Sequence, residues 1–365
     1  AHIVEVATFR EDLEYVDHRH PKGVRFSGPA EDARRRDFTI NALFYDPKSS
    51  RILDAVKGIE DLKAGVIRAI GEPQERFRED ALRLLRAVRF ATRFGFALEQ
   101  ATASAIQARS RLITKVSAER VRDELTLMWT GRAPDLSLRM LSDLGLLPHV
   151  LPELELLKGL PQPGMQQGAD VWLHTMKAVA ALARFSPQRS PGLAWATLLH
   201  DVGKPEASKR SGGKNFNGHE LDASRIARAI SMRLKMPRDQ VDAIAWMVEE
   251  QLKFRDVFQM REATLQRFLQ QPGFEEFLAF HKADAIATDG NLVFHEFCAS
   301  RLAAMRSSSS SSPPRLIDGT DLIQLGFHPG PEFSGILRTI EDLAMERRLH
   351  SKEEALEYVV KHFVK

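Results

Sequence analysis

An arginine-rich stretch at residues 76–93 holds the first side chains whose types and spacing suggest chemistry, with six arginines in 18 positions. Asp80 and Arg83 stand three residues apart, so a continuous helix would bring the carboxylate and the guanidinium onto one face. An acceptor beside a planar fork of donors matches the hydrogen-bond pattern of a base edge, so this pair can select a nucleotide. The alternative is a salt-bridged helix face in solvent, which the pattern alone favours.

A second basic segment, residues 34–42, combines side chains suited to phosphate and ribose. Its arginines, Arg36 among them, can hold phosphate oxygens with paired N–H donors. Asp37 and Asn41 can bond the hydroxyl groups of a ribose. The alternative is a capped helix start on a charged surface, and alone the segment is a weak signal.

Histidine and aspartate side chains spread over residues 174–284 form a third set, which suits a metal ion. A His-Asp doublet places an imidazole beside a carboxylate, and a distant His and Asp can complete an octahedral site. Such an ion lowers the pKa of bound water and creates a nucleophile for phosphoester hydrolysis. Each histidine taken singly is more often structural or on the surface. The candidate ligands are His174, His200, Asp201, His219 and Asp284.

The elements that must position these side chains change in character near residue 74. Before it, alternating and β-branched residues predict short strands separated by polar loops. These strands are expected at 3–9, 51–53 and 66–70, with a loop at 11–31 and a helix–strand turn at 36–46. After residue 74, apolar spacing predicts helices almost without a break. The sequence therefore predicts a mainly α fold with a small α/β part.

Composition limits the class of protein. The chain has 365 residues, 43% of them hydrophobic and 28% charged, which is ordinary for a globular protein with two or three cores. No apolar run approaches the roughly 18 residues of a membrane-spanning helix, and no signal peptide is recognised. A single cysteine, Cys298, excludes an intramolecular disulfide and favours a reducing cytoplasm. At a net charge of +3, contacts with nucleic acid must come from local basic clusters.

Four segments, taken in their order and spacing, resemble the class II tRNA nucleotidyltransferase family of CCA-adding enzymes and poly(A) polymerases. They are residues 34–43, 52–73, 76–96 and 117–125. The resemblance implies a truncated polymerase-β-like nucleotidyltransferase head, a helical neck, an all-α HD domain and a helical tail. The implied boundaries are 1–72 for the head remnant, 73–158 for the neck, 168–303 for the HD-type metal domain, 304–314 for a flexible Ser/Pro linker and 315–365 for the tail.

The same resemblance implies roles for the basic segments. Arg36, Asp37 and Asn41 match the motif that binds the triphosphate and the ribose. Asp80 and Arg83 match the EDxxR motif, which selects ATP or CTP without a nucleic-acid template. Further positions expected to contact the nucleotide or brace its pocket are Arg86, Arg89, Glu119 and Arg120.

The metal carboxylates of nucleotidyl transfer are missing from this sequence. The reaction needs Mg²⁺ ions held by close carboxylates, usually an Asp-x-Asp on a strand, and the sequence contains no Asp-x-Asp. Glu5 matches an acidic position of the family strand that follows the missing part, and it is the candidate catalytic residue. We expect the chain to be a fragment of a longer active protein rather than a shortened inactive one. On its own, it is expected not to polymerise nucleotides.

The histidine and aspartate set resembles the HD phosphohydrolase superfamily. His174, His200, Asp201 and Asp284 match its H…HD…D ligands, and His219 matches an additional histidine of many members. Many relatives carry a further histidine near residues 249–254, where this chain has none. That departure favours one divalent ion, Mn²⁺, Mg²⁺ or Ni²⁺. The resemblance implies phosphatase or 2′,3′-cyclic phosphodiesterase activity on RNA ends.

Three functions therefore stand against each other. The preferred one is addition of CMP and AMP, or AMP alone, to tRNA 3′ ends, with ATP and CTP as substrates and tRNA as partner. The alternatives are an HD-type metal-dependent phosphohydrolase and an inactive tRNA-binding protein. A monomer or homodimer without a membrane partner is expected, and the sequence leaves open whether CCA, a single A or a poly(A) tract is added.

Overall fold

Short strands and helices alternate over the first hundred residues, and helices make up most of the chain after them. The computed structural model describes residues 6–12, 23–162, 170–307, 315–346 and 348–363. Glu5, the candidate catalytic residue, lies outside these ranges. The chain forms two compact units, the first comprising the residues up to Gln251 with Lys282–Gly290, and the second comprising Leu252–His281 with the residues from Asn291 onward.

Three two-stranded sheets occur in the described part of the first unit. Strands β1 and β2 pair antiparallel with Arg10 opposite Phe26, β3 and β4 pair antiparallel with Leu43 opposite Asp54, and β5 and β6 pair parallel. The strands are β1 (Arg10–Asp12), β2 (Val24–Phe26), β3 (Leu43–Asp46), β4 (Arg51–Asp54), β5 (Val66–Ile67) and β6 (Ala97–Leu98).

The first predicted strand and the loop after it are partly wrong. Residues 6–9 have no regular structure, and the strand begins at Arg10 instead. The expected loop at 11–31 contains strand β2 and the start of helix α1 (Pro29–Arg34). Ladder pairing across the loop decides the position of both strands, and the local alternation of residues 3–9 does not report that pairing.

Two early elements hold the nucleotide motif in place. A short 3₁₀ turn (Thr39–Asn41) precedes β3, and helix α2 (Gly58–Ala64) follows β4. The carboxylate of Asp54 accepts the backbone N–H groups of Val56, Gly58 and Ile59, which starts the helix. A Cβ on Gly58 would lie 2.2 Å from the carbonyl oxygen of Thr39, so glycine is required where α2 crosses the turn.

The helices of the neck follow. Their apolar faces form a core in which Leu84, Leu85 and Val88 are fully buried. They are α3 (Pro73–Glu79), α4 (Arg83–Phe94), α5 (Gln100–Arg109), α6 (Ala118–Trp129), α7 (Pro134–Asp143), α8 (Leu147–Val150) and α9 (Pro152–Glu155), with a 3₁₀ segment at Ser110–Lys115.

The single helix expected over residues 76–93 is wrong. Helix α3 ends at Glu79, Asp80 is extended with φ −142° and ψ 104°, and α4 begins at Arg83. Apolar periodicity continues across the break, since Phe77 is buried before it and Leu82 and Leu85 are buried after it. The Asp80 carboxylate accepts the N–H of Leu82 at 3.1 Å, and this local bond competes with helix continuation.

Further helices complete the first unit and form the second. They are α10 (Val171–Phe185), α11 (Pro191–Leu199), α12 (Lys204–Arg210), α13 (His219–Arg233), α14 (Arg238–Glu249), a 3₁₀ segment (Gln251–Asp256), α15 (Glu262–Leu269), α16 (Phe274–Thr288), α17 (Val293–Ser307), α18 (Gly319–Gln324), α19 (Pro331–Met345) and α20 (Lys352–Phe363). None of the helices in the described ranges is long and apolar enough to cross a membrane.

The tail has a small core of its own within the second unit. Leu322, Ile340 and Val359 are buried there, and Phe327 and Phe333 pack against this core. The mainly α fold with a small sheet part is confirmed. Helix α17 extends through Ser307, and residues 308–314 of the expected linker lie outside the described ranges. The five-part domain division stays a prediction.

Candidate functional site

The phosphate and ribose motif is a turn whose side chains bond one another. Oδ1 of Asp37 accepts the backbone N–H of Phe38 at 2.9 Å and the Nδ2 group of Asn41 at 3.1 Å. Arg36 donates from Nη1 to the carbonyl oxygen of Asn41 at 2.8 Å, and its guanidinium lies 4.6 Å from the ring centre of Phe44. The structure thus brings the three predicted residues of this motif together.

A buried carboxylate that sequence motifs do not reveal anchors the arginines. Asp32 accepts Nε of Arg36 at 3.1 Å and Nη2 of Arg35 at 2.6 Å, and the backbone N–H of Arg10 at 3.2 Å. Although burial alone would raise it, these hydrogen bonds lower the pKa of Asp32 below its usual value. The spacing of three and four residues from Asp32 to Arg35 and Arg36 was the available signal.

Arg86 connects the head turn to the neck. Its Nε donates to Oδ2 of Asp37 at 2.7 Å, and its Nη1 lies 3.8 Å from Oε1 of Glu124. Oε2 of the same Glu124 accepts Nε of Arg89 at 2.6 Å. Carboxylate and guanidinium groups therefore alternate from Asp37 through Arg86 and Glu124 to Arg89. Glu124 was not predicted, because its partners lie 35 and more residues away in the sequence.

Arg89 lies deeper than the nucleotide-binding role predicted for it suggests. The residue is 8% exposed, and its guanidinium lies 4.1 Å from the ring centre of Phe90. Together with its bond to Glu124, this contact makes Arg89 a support for Arg86. Its predicted contact with a nucleotide remains untested.

Asp80 and Arg83 have separate partners. Arg83 donates to Glu79 at 2.8 Å and to the carbonyl oxygen of Arg35 at 3.0 Å. Asp80 accepts Nη2 of Arg120 at 2.9 Å. The expectation that both side chains sit on one helix face is wrong, since the helix break separates them. Glu79 was not predicted, although its spacing of four residues from Arg83 is a recognisable ion-pair signal.

Glu119 and Arg120 on α6, which were predicted to brace the pocket, also bond to different partners. Arg120 holds Asp80, whereas Glu119 turns to the exposed Lys235, with Oε1 at 2.7 Å from Nζ. Its hydrogen bond with Lys235 lowers the pKa of Glu119. Arg120 therefore braces the selecting motif, and Glu119 contacts the turn between α13 and α14.

The metal candidates meet at the ends of three helices. His174 comes from α10, His200 ends α11, and Asp284 comes from α16. Nε2 of His174 lies 3.0 Å from Nε2 of His200 and 3.0 Å from Oδ1 of Asp284. Oδ2 of Asp201 lies 3.1 Å from Nε2 of His200. His219 stands farther out, with Nε2 3.6 Å from Oδ1 of Asp201.

These separations fit a single ion. Bonds of about 2.0–2.2 Å place neighbouring ligand atoms of one octahedral ion roughly 3 Å apart. Nδ1 of His200 lies 2.8 Å from the carbonyl oxygen of Thr197, so Nδ1 keeps the proton and Nε2 presents its lone pair to the cluster. Within the described residues, His174, His200 and Asp284 form the group whose ligand atoms all lie within 4.8 Å of one another.

A buried lysine, Lys204, adds a positive charge next to this cluster. Nζ of Lys204 lies 2.6 Å from Oδ2 of Asp201 and 3.0 Å from Oε1 of Gln162. Burial opposes ionisation of Asp201, but His200 and Lys204 hold its pKa well below the usual value. The carboxylate of Asp201 raises the pKa of His200 against the effect of burial.

The position of His219 depends on close packing between helix α13 and Gly203. A Cβ on Gly203 would lie 2.2 Å from the carbonyl oxygen of His219 and 2.4 Å from the backbone nitrogen of Ala223. Helix α13 therefore approaches the residues after Asp201 as closely as a backbone without a side chain permits.

Comparison with known proteins agrees with the motifs. Residues 1–68 match the poly A polymerase head domain, and residues 95–157 match a probable RNA and SrmB-binding site of polymerase A. The A-adding tRNA nucleotidyltransferase of Deinococcus radiodurans is 32% identical over 90% of this chain and 78% of the relative. The CCA-adding enzyme of Lactobacillus helveticus is 31% identical over 97% and 77%.

A solved structure agrees in fold. The Bacillus stearothermophilus CCA-adding enzyme in complex with CTP superposes with a TM-score of 0.69 at 24% identity, covering 97% of this chain and 77% of that one. Sequence relatives and the two matching domain families point the same way. The chain belongs to the tRNA nucleotidyltransferase family that contains the A-adding and CCA-adding enzymes.

Proposed function

We propose that this protein transfers nucleotides from ATP or CTP to the 3′ end of tRNA without a template. The observation that carries the proposal is the joining of head and neck motifs by Arg86 and Arg83, which bond to Asp37 and to the backbone of Arg35. The names of the relatives, A-adding and CCA-adding, support this reaction class. These relatives differ in the nucleotides that they add, so an experiment decides which nucleotides this protein adds.

Each motif residue then has a chemical task. Arg36 offers its guanidinium to the phosphates, and Asp37 and Asn41 bond the ribose. Arg83 and Asp80 present donors and an acceptor to the base, with Arg120 and Glu79 fixing their positions. Asp80 is partly exposed and can accept a further bond. Arg83 is 7% exposed and already donates to Glu79 and to the backbone of Arg35 and Arg76, so its contact with a base depends on the donor positions that these bonds leave.

Mg²⁺ would supply the activation of the 3′-hydroxyl and the stabilisation of pyrophosphate. Glu5 is the acidic candidate for that ion in this sequence. The residues named above would bind and orient the nucleotide.

Nucleotide binding by this chain tests the selecting pair. We expect CTP and ATP to bind, and the Asp80→Ala and Arg83→Ala variants to lose at least about tenfold in affinity, as charge-assisted hydrogen bonds predict. Incorporation of labelled CMP and AMP into tRNA lacking its 3′ end, measured with the whole protein, tests the reaction. Unaltered nucleotide choice in both variants would sink the proposal.

A second candidate function rests on the metal cluster of His174, His200 and Asp284. We propose that this cluster, completed by Asp201, holds one divalent ion, Mn²⁺, Mg²⁺ or Ni²⁺, for hydrolysis of phosphoesters at RNA ends. Lys204 would bind the phosphate. Release of phosphate, or ring opening of a 2′,3′-cyclic nucleotide, supports this function if the His200→Ala, Asp201→Ala double variant abolishes it. Equal turnover in that variant refutes the function.

A further inference from the structure

A cavity of about 420 Å³ lies in the neck, between helix α4, the end of α6 and the start of α7. Arg89 and Arg93 border it from α4, Leu127 and Met128 border it from α6, and Arg132 borders it from the turn before α7. No aspartate or glutamate is found among the described residues that line it. Three guanidinium groups thus surround a space large enough for a nucleotide-sized ligand.

Two of these arginines have no counter-ion. Arg93 and Arg132 are exposed, and neither forms an ion pair with a carboxylate in the described parts of the chain. The charge of Arg89 is balanced by Glu124. An excess of two positive charges therefore borders a cavity without acids, and an anionic ligand would supply the missing partner.

The helix ends around the cavity strengthen this preference. Helix α7 starts at Pro134 with Ala133 at its N-cap and no side-chain cap, so N–H groups of its first turn face outward. The carbonyl end of α6 would oppose an anion, but Arg189 covers it. Arg189 is 6% exposed, donates from Nη2 to the carbonyl oxygen of Trp129 at 2.7 Å, and also bonds the carbonyl oxygen of Gly131.

One wall of the cavity is apolar. Leu127 is 53% exposed although it is a large hydrophobic residue, and Met128 is buried beside it. A flat base can pack on such a wall while its phosphate reaches the arginines, whereas an inorganic anion would leave the wall uncovered. The combination suits a nucleotide unit with an attached phosphate.

The cavity lies next to the nucleotide motif. At 100° per residue, Arg86, Arg89 and Arg93 fall on one stripe of α4, and seven residues separate the first from the last by about 10 Å along the axis. Arg86 is the residue that holds Asp37. This stripe of about 10 Å leads from Arg86 to the cavity, so the units that precede an RNA end held near Asp37 can reach it.

We propose that this cavity binds a phosphorylated nucleotide unit of the RNA substrate, upstream of the reacting 3′ end. The inference rests on the proposed transfer of nucleotides to tRNA and adds a binding site for the acceptor strand. Arg93 and Arg132 bind the phosphate, Leu127 contacts the base, and Arg189 acts as a positioning residue through the end of α6.

Equilibrium binding of a fluorescent acceptor-stem RNA with a single-stranded 3′ end, measured with this chain, tests the site. We expect the Arg93→Ala, Arg132→Ala double variant to bind about tenfold more weakly. The slope of log K against log salt should fall by about 0.7 for each phosphate that the variant no longer neutralises. CTP affinity should stay unchanged. The matched control is Arg139→Ala, which removes an exposed arginine of α7 outside the cavity.

Two results would overturn the assignment. Unchanged RNA affinity in the double variant removes the site, and an equal loss of CTP affinity assigns the cavity to the free nucleotide instead. The Arg93→Lys, Arg132→Lys variant keeps both charges, and it should recover most of the RNA affinity even if the alanine variant folds poorly. If the whole protein adds no nucleotides but the double variant of this chain still loses RNA affinity, the proposed reaction is refuted and the RNA site stands.

Discussion

Arg86 and Asp37 lie 49 positions apart in the sequence, yet the Nε of one and Oδ2 of the other are 2.7 Å apart. The contact fixes the turn, which is predicted to bind the ribose, to helix α4. Because Asp37 also accepts bonds from Phe38 and Asn41, both of its carboxylate oxygens have partners within the protein. The orientation of the turn therefore depends on a residue of a different motif.

Replacing Arg86 with alanine should weaken nucleotide binding. The substitution leaves Asp37 without its charged partner, and the loss of a charged hydrogen bond costs about 1.5–3 kcal/mol. Titration calorimetry with CTP measures the affinity. The control Arg78→Ala removes an exposed arginine that pairs with Glu75 on α3, where a surface ion pair contributes about 0–1 kcal/mol. Equal affinities in both variants would contradict the role of Arg86.

Replacing Glu79 with glutamine should relax base selection. The neutral amide holds the Arg83 guanidinium less firmly than the carboxylate at 2.8 Å does. We expect the preference between CTP and ATP to shrink by about threefold to tenfold, with overall affinity less affected. Competition binding of the two nucleotides measures the preference. The matched control is Glu75→Gln, an exposed position on the same helix; a preference that is the same in both variants would show that Glu79 does not position Arg83.

Gly58→Ala should destabilise the first unit. The new methyl group would lie 2.2 Å from the carbonyl oxygen of Thr39, which forces a backbone shift that costs about 1–3 kcal/mol. Urea unfolding measures the free energy. Gly335→Ala serves as the comparison, since no atom lies within 4 Å of its Cβ and alanine is favoured inside helix α19 by about 0.5–1 kcal/mol. The prediction fails if both variants shift stability in the same direction.

Acid should weaken the start of helix α2 through Asp54. Burial opposes the effect, but the N–H groups of Ile59, Gly58 and Val56 lower the pKa of this carboxyl in the folded state. A depressed folded pKa means that its stabilising contribution is complete above the unfolded pKa of about 3.9 and disappears as pH falls through the folded value. Asp54→Asn should remove this part of the pH dependence. Urea midpoints at several pH values check it, and identical profiles would disprove it.

Divalent metal should stabilise the fold through the histidine cluster. A ligand that binds the folded state at a hundredfold excess over its Kd adds about 2.7 kcal/mol. We expect Mn²⁺ to raise Tm and a chelator to reverse the rise, with His174→Ala abolishing both effects. Metal content of the purified protein, measured by mass spectrometry, supplies a second readout. A Tm rise that survives in the variant would place the ion elsewhere.

Local patterns predicted the motif residues better than their partners. The segments around Asp37 and Asp80 were recognisable because nucleotide chemistry restricts their residue types. Asp32 and Glu124 were missed because neither belongs to a recognised motif, and sequence spacing does not show that a carboxylate is buried. Glu124 contacts Arg89 over 35 positions, a separation that only tertiary packing determines.

The helix break shows why periodicity misled. Buried residues recur on both sides of Asp80, with Phe77 before it and Leu82 and Leu85 after it, as they would in one helix. The bond from the Leu82 N–H to the Asp80 carboxylate competes with continuation of the helix. The spacing of the apolar residues does not reveal this competition. The paired strands Arg10–Asp12 and Val24–Phe26 escaped prediction for a related reason, since each depends on a partner 12 to 16 positions away in the sequence.

Residue 203 belongs to no predicted site, yet the space left by its missing side chain governs the cluster beside it. A single added carbon would push the first turn of helix α13 outward and carry the imidazole of His219 away from Asp201. Ligand geometry can thus be altered by a mutation that changes no donor atom. Searches for disabled relatives should therefore inspect this glycine as closely as the histidines.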